Sequence, residues 1–349
     1  MRVSLKYLAA FILPLVTVIS FNIKGTLVWL PLIYAFIVVP LLDTFLPQDA
    51  SNLSKEDEDS IKNAFWFKFL LALIVPAHFY VLWEFLSIDF TTINTLETIG
   101  VVLGAGLSCG VLGINVGHEL GHKNDNFSKF LAHLLLMSSL YMHFYIEHNY
   151  GHHRRVATPE DPATARRNEP LYLFWCRSIF YSYSSAWSIQ LKLLKNQTFI
   201  SWKNNMLIYH IVQISFLGII YFVFGFQHLA YFIGVAIIGI LLLETVNYIE
   251  HYGLMRKKEK GVYERTTYAH SWNSNHLMGR LVLFDLSRHS DHHYKSTRPY
   301  QILRYHEKSP QLPNGYPAMM LLSLIPPLWY KVIHPHIDQF KKRVSINQD

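Results

Sequence analysis

The stretch His118-Glu119-Leu120-Gly121-His122-Lys123 closes an apolar run, Ile99 to Val116, that contains no charged residue. Side chains four apart on a helix share one face. His118 and His122 therefore point the same way at the end of a membrane-length helix. Neutral imidazoles in that arrangement are ligands for zinc, iron, copper or nickel. Alone the motif is ambiguous. His-Glu-x-x-His is also the metalloprotease signature, with two zinc-binding histidines and the glutamate as base.

Outward from this stretch, the composition is that of a membrane protein. Of 349 residues 51% are hydrophobic and only 16% charged, against roughly 25% charged in a soluble domain. Six runs near the ~20 residues needed to cross a bilayer core lie at about 7–23, 26–46, 65–88, 96–117, 207–226 and 228–249. The first follows Arg2 and Lys6 but lacks a small-residue cleavage site, so it reads as an uncleaved helix. The expected fold is all-α and polytopic: one membrane-embedded domain over 1–349, with a histidine-rich cap from 118–206 and 250–349.

Charge sets the expected orientation. From Phe69 through His122 there is no Lys or Arg, whereas Lys123, Lys129, Arg154, Arg155, Arg166 and Arg167 follow. Basic residues gather on the cytoplasmic side of membrane proteins. That places the cap in the cytoplasm and the chain in the cell (inner) membrane as a multi-pass protein. The same rule accounts for the net charge of +7 without nucleic acid. The two cysteines, Cys109 and Cys176, make no disulfide framework. They are also too few for a fused Cys-ligated iron centre, which needs about four thiolates.

Three further apolar stretches are not read as spans. Residues 127–145 carry histidine clusters at both ends, so they cannot cross if the clusters meet. Residues 171–195 carry Arg177, Lys192 and Lys195 and suit the interface. Residues 318–333 are short and broken by Pro326-Pro327.

Histidine is the anomaly, at 19 residues. A second cluster is Glu147-His148-Asn149-Tyr150-Gly151-His152-His153, and a third is Arg288-His289-Ser290-Asp291-His292-His293. His251 stands alone in Asn247-Tyr248-Ile249-Glu250-His251-Tyr252-Gly253, where the sixth run ends. If helical, His148 and His152 share a face, as do His289, His292 and His293. One structural zinc takes about four ligands, so this many imidazoles at one end of the spans suit two ions. Glu119, Glu147, Glu250 and Asp291 adjoin histidines in sequence, and Asp161 lies nearby. Each is a candidate to orient an imidazole through its second ring nitrogen. His306, His334 and His336 read as solvated, and His270 and His276 are left open.

These motifs resemble those of the integral-membrane alkane 1-monooxygenases, within the membrane fatty acid desaturase and hydroxylase group. The resemblance runs from about Pro40 to Pro335 and departs at Ser287, where the family usually has glutamine. It implies two non-haem iron ions held by His118, His122, His148, His152, His153, His251, His289, His292 and His293. It implies hydroxylation of the terminal methyl of medium- to long-chain n-alkanes with O2, and electrons from a separate rubredoxin with its NADH-dependent reductase. The alternatives are a related diiron enzyme acting on methyl aromatics or fatty acyl chains, and a zinc protease built on His118, Glu119 and His122. A metal transporter would need histidines spread along a path across the membrane.

Overall fold

A computed structural model describes residues 2–195 and 197–346. Among the described residues, six helices are long and apolar enough to cross a membrane: Lys6–Ile23, Gly25–Phe45, Phe65–Leu86, Thr95–Gly121, Asn205–Phe224 and Phe226–His251. They match the six expected spans in order and number. The fourth and sixth extend past the apolar runs that announced them, carrying His118 and His251 inside the helices. Outside the spans, Asn126–Ser138 has 13 residues, too few to cross a bilayer. Leu171–Leu194, Tyr316–Ser323 and Pro326–Ile346 are also helical. The described β-structure is a hairpin, Lys258–Glu259 against Val262–Tyr263, and an isolated bridge between Asn273 and Gln311.

The chain gathers into two compact units. The first comprises the residues up to Ile37, Ala64–Gly151 and Ser182–Leu243. Its fourth span begins at a reciprocal cap. Asn94 accepts the Glu97 backbone N–H at 3.0 Å and the Glu97 carboxylate accepts the Asn94 N–H at 2.7 Å. The other Glu97 oxygen accepts the Gly25 N–H, so one side chain caps this helix and ties down the turn between the first two spans. A capping residue of this kind is worth about 1 kcal/mol. Farther along, the fourth and sixth spans approach closely. A methyl group at Gly106 would lie 2.5 Å from Ile238, and one at Gly239 would lie 2.9 Å from Cys109. Val81, Phe85, Ala105, Phe232 and Val235 fill the core beside this contact.

The second unit comprises Val38–Asn63, His152–Tyr181 and the chain from Glu244 onward. Its core is aromatic: Phe174, Tyr248, Tyr252, Trp272 and Trp329 are buried together with Ile333. Arg280 and Arg288 fasten the segment after the second span. The Arg280 guanidinium donates to the Asp49 carbonyl and pairs with Asp285. Arg288 donates to the carbonyls of Leu303, Asp49 and Ser51. Arg288 opens the third histidine cluster, so its bonds fix where that stretch begins.

Candidate metal centre

In the first unit, the end of the fourth span presents His118 and His122 on one face, as their spacing requires. Their Nε2 atoms are 3.0 Å apart, and the Nε2 of His148 is 3.1 Å from that of His122. Phe144 stacks on the His148 ring with centroids 4.7 Å apart, holding it from behind. His118 and His148 are buried and His122 is half-buried.

In the second unit, His152, His251, His289 and His293 converge, all buried. The Nε2 atoms of His152 and His293 are 3.2 Å apart, as are those of His251 and His289. His293 lies with its ring centroid 4.4 Å from that of His289 and 4.9 Å from that of His251. The remaining pair, His153 and His292, have ring centroids 5.0 Å apart, and His153 lies 4.5 Å from His293. The helix His289–Tyr294 supplies three of these rings, His289 and His293 to the group of four and His292 to the pair with His153.

The second cluster departs from expectation. Glu147–His152 is a π-turn, not an α-turn. His148 and His152, expected on one face, fall in different donor groups: His148 with His118 and His122, His152 with His251, His289 and His293.

The carboxylates sort into distinct roles. The Nδ1 of His152 is 3.0 Å from Asp161. That bond places the proton on Nδ1 and turns the Nε2 lone pair toward the other rings. Burial works against the Asp161 carboxylate. Attraction and hydrogen bonding to His152, with a bond from Thr164, outweigh it and hold the group below the ordinary carboxylate range. Glu250 stands elsewhere than an orienting residue would. Its Oε2 is 3.1 Å from Nε2 of His289, the nitrogen that also faces His251. It lies among the donors, not behind a ring. The Ser271 hydroxyl and the His270 backbone take the orienting place at His251.

Asp291 is buried and its carboxylate is engaged by Arg298, the Arg304 backbone N–H and His306. It anchors the helix from the side away from the rings, and His306 is a half-buried structural partner, not a solvated residue. Glu119 pairs with Lys123 one turn on, a poor arrangement for the free general base of a zinc protease. Glu147 accepts a bond from Ser185 at 3.3 Å. His270 pairs with Glu264, and His276 bonds Gln48 and Ser274. Neither enters a donor group. His306 and Arg304 carried no signal in the sequence, because the bonds that give them a role come from chain distant in order.

The donor set fits metal. Nε2 separations of 3.0–3.2 Å are those of nitrogens sharing an ion at about 2.0–2.1 Å. Burial first, then the crowding of the neighbouring imidazoles, pushes His293 well below the ordinary histidine range. It is therefore neutral at physiological pH, the form that binds metal.

Six spans carrying buried histidine groups define a multi-pass membrane metalloprotein. The fatty acid desaturase family matches residues 95–323. An alkane 1-monooxygenase of Acinetobacter baylyi is 39% identical over 313 residues, 88% of this chain and 76% of that protein. Alkane 1-monooxygenase 2 of Alcanivorax borkumensis is 38% identical over 322 residues, 89% and 84% of the two chains. More distant is the hydroxylase component of a Pseudomonas putida xylene/toluene monooxygenase, 26% identical over 330 residues, 93% of this chain and 86% of that protein. The chain belongs to the fatty acid desaturase family and, within it, to the alkane 1-monooxygenases. It is thus a membrane oxidoreductase of the monooxygenase type, bearing histidine groups suited to metal.

Proposed function

We propose that the protein hydroxylates the terminal methyl of medium- to long-chain n-alkanes to primary alcohols at a non-haem diiron site. O2 is the co-substrate, and reduced rubredoxin, recharged by an NADH-dependent reductase, supplies the electrons. One oxygen atom enters a C–H bond and the other leaves as water, consuming two electrons and two protons per turnover. The observation that carries this reading is the pair of histidine groups in a chain with alkane 1-monooxygenase relatives across most of its length.

The chemistry argues in the same direction. An alkane has no acidic proton and no leaving group, so acid–base or nucleophilic catalysis has nothing to act on. Iron, when bound, supplies the oxidising power that C–H cleavage needs. The protein's own residues hold and present. His152, His251, His289 and His293 would hold one ion, with Asp161 fixing the His152 tautomer and Glu250 standing among the donors. Of the other imidazoles that the resemblance implies as ligands, His118, His122 and His148 gather in the first unit, where they would hold a second ion, and His153 and His292 lie in the second. The substrate partitions into the bilayer, and an apolar approach that admits the chain end first gives terminal selectivity by proximity. The Lys and Arg distribution supports a cytoplasmic site in the inner membrane.

The test is to purify the protein, measure its metal content, and assay octane through hexadecane with rubredoxin, reductase and NADH. Oxygen-dependent primary alcohol with iron as the bound metal is expected. One zinc per chain, or no oxidised product from any alkane, overturns the proposal. The 26% identity to a xylene/toluene monooxygenase component makes a methyl aromatic the competitor worth running beside the alkanes.

A further inference from the structure

We infer that a basic recess in the second unit is the seat on which an acidic electron-donor protein docks. The inference rests on the donor-dependent reading above. The recess holds about 410 Å³, and its lining includes Lys55, Lys62, Lys295, Arg298 and Arg304. The carboxylates on its wall are Glu58 and Asp59, so cations outnumber them. Glu58 is already committed, gripped by the Arg304 guanidinium through both oxygens at 2.5 and 2.6 Å.

The cations divide into two kinds. Arg298 and Arg304 are partly buried and satisfied within the fold, the first by Asp291 and the second by Glu58. Lys55, Lys62 and Lys295 are exposed, and their ammonium groups make no hydrogen bond or ion pair among the described residues. A rim of long, solvated lysines does not grip a small anion. It attracts an extended acidic surface over roughly a Debye length, ~8 Å at physiological salt.

The floor of the recess reaches the metal-binding helix directly. Arg298 bonds both oxygens of Asp291 at 2.7 and 2.6 Å, and the Arg304 backbone N–H donates to the same carboxylate at 2.9 Å. Asp291 belongs to the helix His289–Tyr294 and adjoins His292, and Lys295 follows the helix end. A donor seated on these lysines therefore stands over a short covalent and hydrogen-bonded route to an imidazole of the donor set. The basic residues of the hairpin lie differently. Lys258 and Arg256 are both laid over the Tyr263 ring.

The experiment uses the full chain in neutral-lipid nanodiscs, with purified rubredoxin as the probe. Binding is measured by biolayer interferometry, and turnover with reductase and NADH across a range of ionic strength. The triple variant Lys55→Gln/Lys62→Gln/Lys295→Gln should raise both the rubredoxin Kd and its KM by about tenfold and flatten their salt dependence. Lys257→Gln/Lys258→Gln, a nearby loss of two charges, should do much less. Values for the triple variant equal to those of the unaltered protein, or matched by the hairpin variant, overturn the proposal. If the unaltered protein oxidises alkane with a chemical reductant but neither binds nor uses rubredoxin, the donor reading itself has failed and the seat falls with it.

Discussion

The histidine groups of the two units are built differently. In the first unit, His118, His122 and His148 come from a span end and a π-turn, and an aromatic ring, Phe144, steadies the last. In the second, His152, His251, His289 and His293 come from three separate stretches and are all buried. Asp161 orients one ring and Glu250 lies among the donors. Carboxylate support raises the basicity of a ligating imidazole and fixes its tautomer. We therefore expect the second unit's group to hold metal more tightly.

The largest effect should come from removing a ring at the centre of the second unit's group. His293→Ala should leave about one iron per chain or less and lower turnover more than a hundredfold. His118→Ala should spare the iron held by the second unit's group. Equal metal loss from both variants, measured by mass spectrometry, would break the comparison. Next is Asp161→Ala, which removes the acceptor behind His152 and should weaken metal binding about 10- to 100-fold in a competitive chelator titration.

A smaller effect, on the fold and not on the metal, is expected at Asp291. Asp291→Asn breaks a buried carboxylate away from Arg298 and His306, and should cost about 3 kcal/mol in thermal unfolding. An unchanged Tm would mean that the helix His289–Tyr294 needs no anchor.

The smallest is a pH dependence. Burial opposes the Asp49 carboxylate, but bonds from Ser51 and the nearby Arg280 outweigh it and lower the group from 3.8 to about 2. A depressed carboxylate stabilises the fold above its ordinary pKa and loses that contribution as pH falls toward the lower value. Tm should therefore decline between about pH 4 and pH 2, and Asp49→Asn should flatten that limb. A variant profile parallel to the unaltered one would remove Asp49 from the second unit's framework.

Much of this was readable in the chain. Bilayer length imposed the six spans, and the i, i+4 spacing of His118 and His122 survived unaltered because an α-helix reaches Gly121. The span ends were less readable. Hydropathy ends at Val116, but the helix continues to Gly121, and the residues from Val116 to Gly121 are buried in protein. The partition of His148 from His152 was hidden because spacing along one turn does not say which distant rings each imidazole meets. Adjacency also misplaced carboxylates. Glu250 and Asp291 each neighbour a histidine in sequence, but one faces a metal-directed nitrogen and the other turns to Arg298 and His306. Which nitrogen of a ring a carboxylate meets depends on side-chain rotation, and no spacing rule encodes it.

The widened turn at Glu147–His152 has a consequence for how this chain can vary. It carries His148 and His152, which belong to different donor groups. Trimming a single residue there would change the rotation of every side chain that follows, His152 and His153 included. Over these six positions the number of residues is constrained independently of their identity, and a harmless-looking deletion would be worse tolerated than most substitutions.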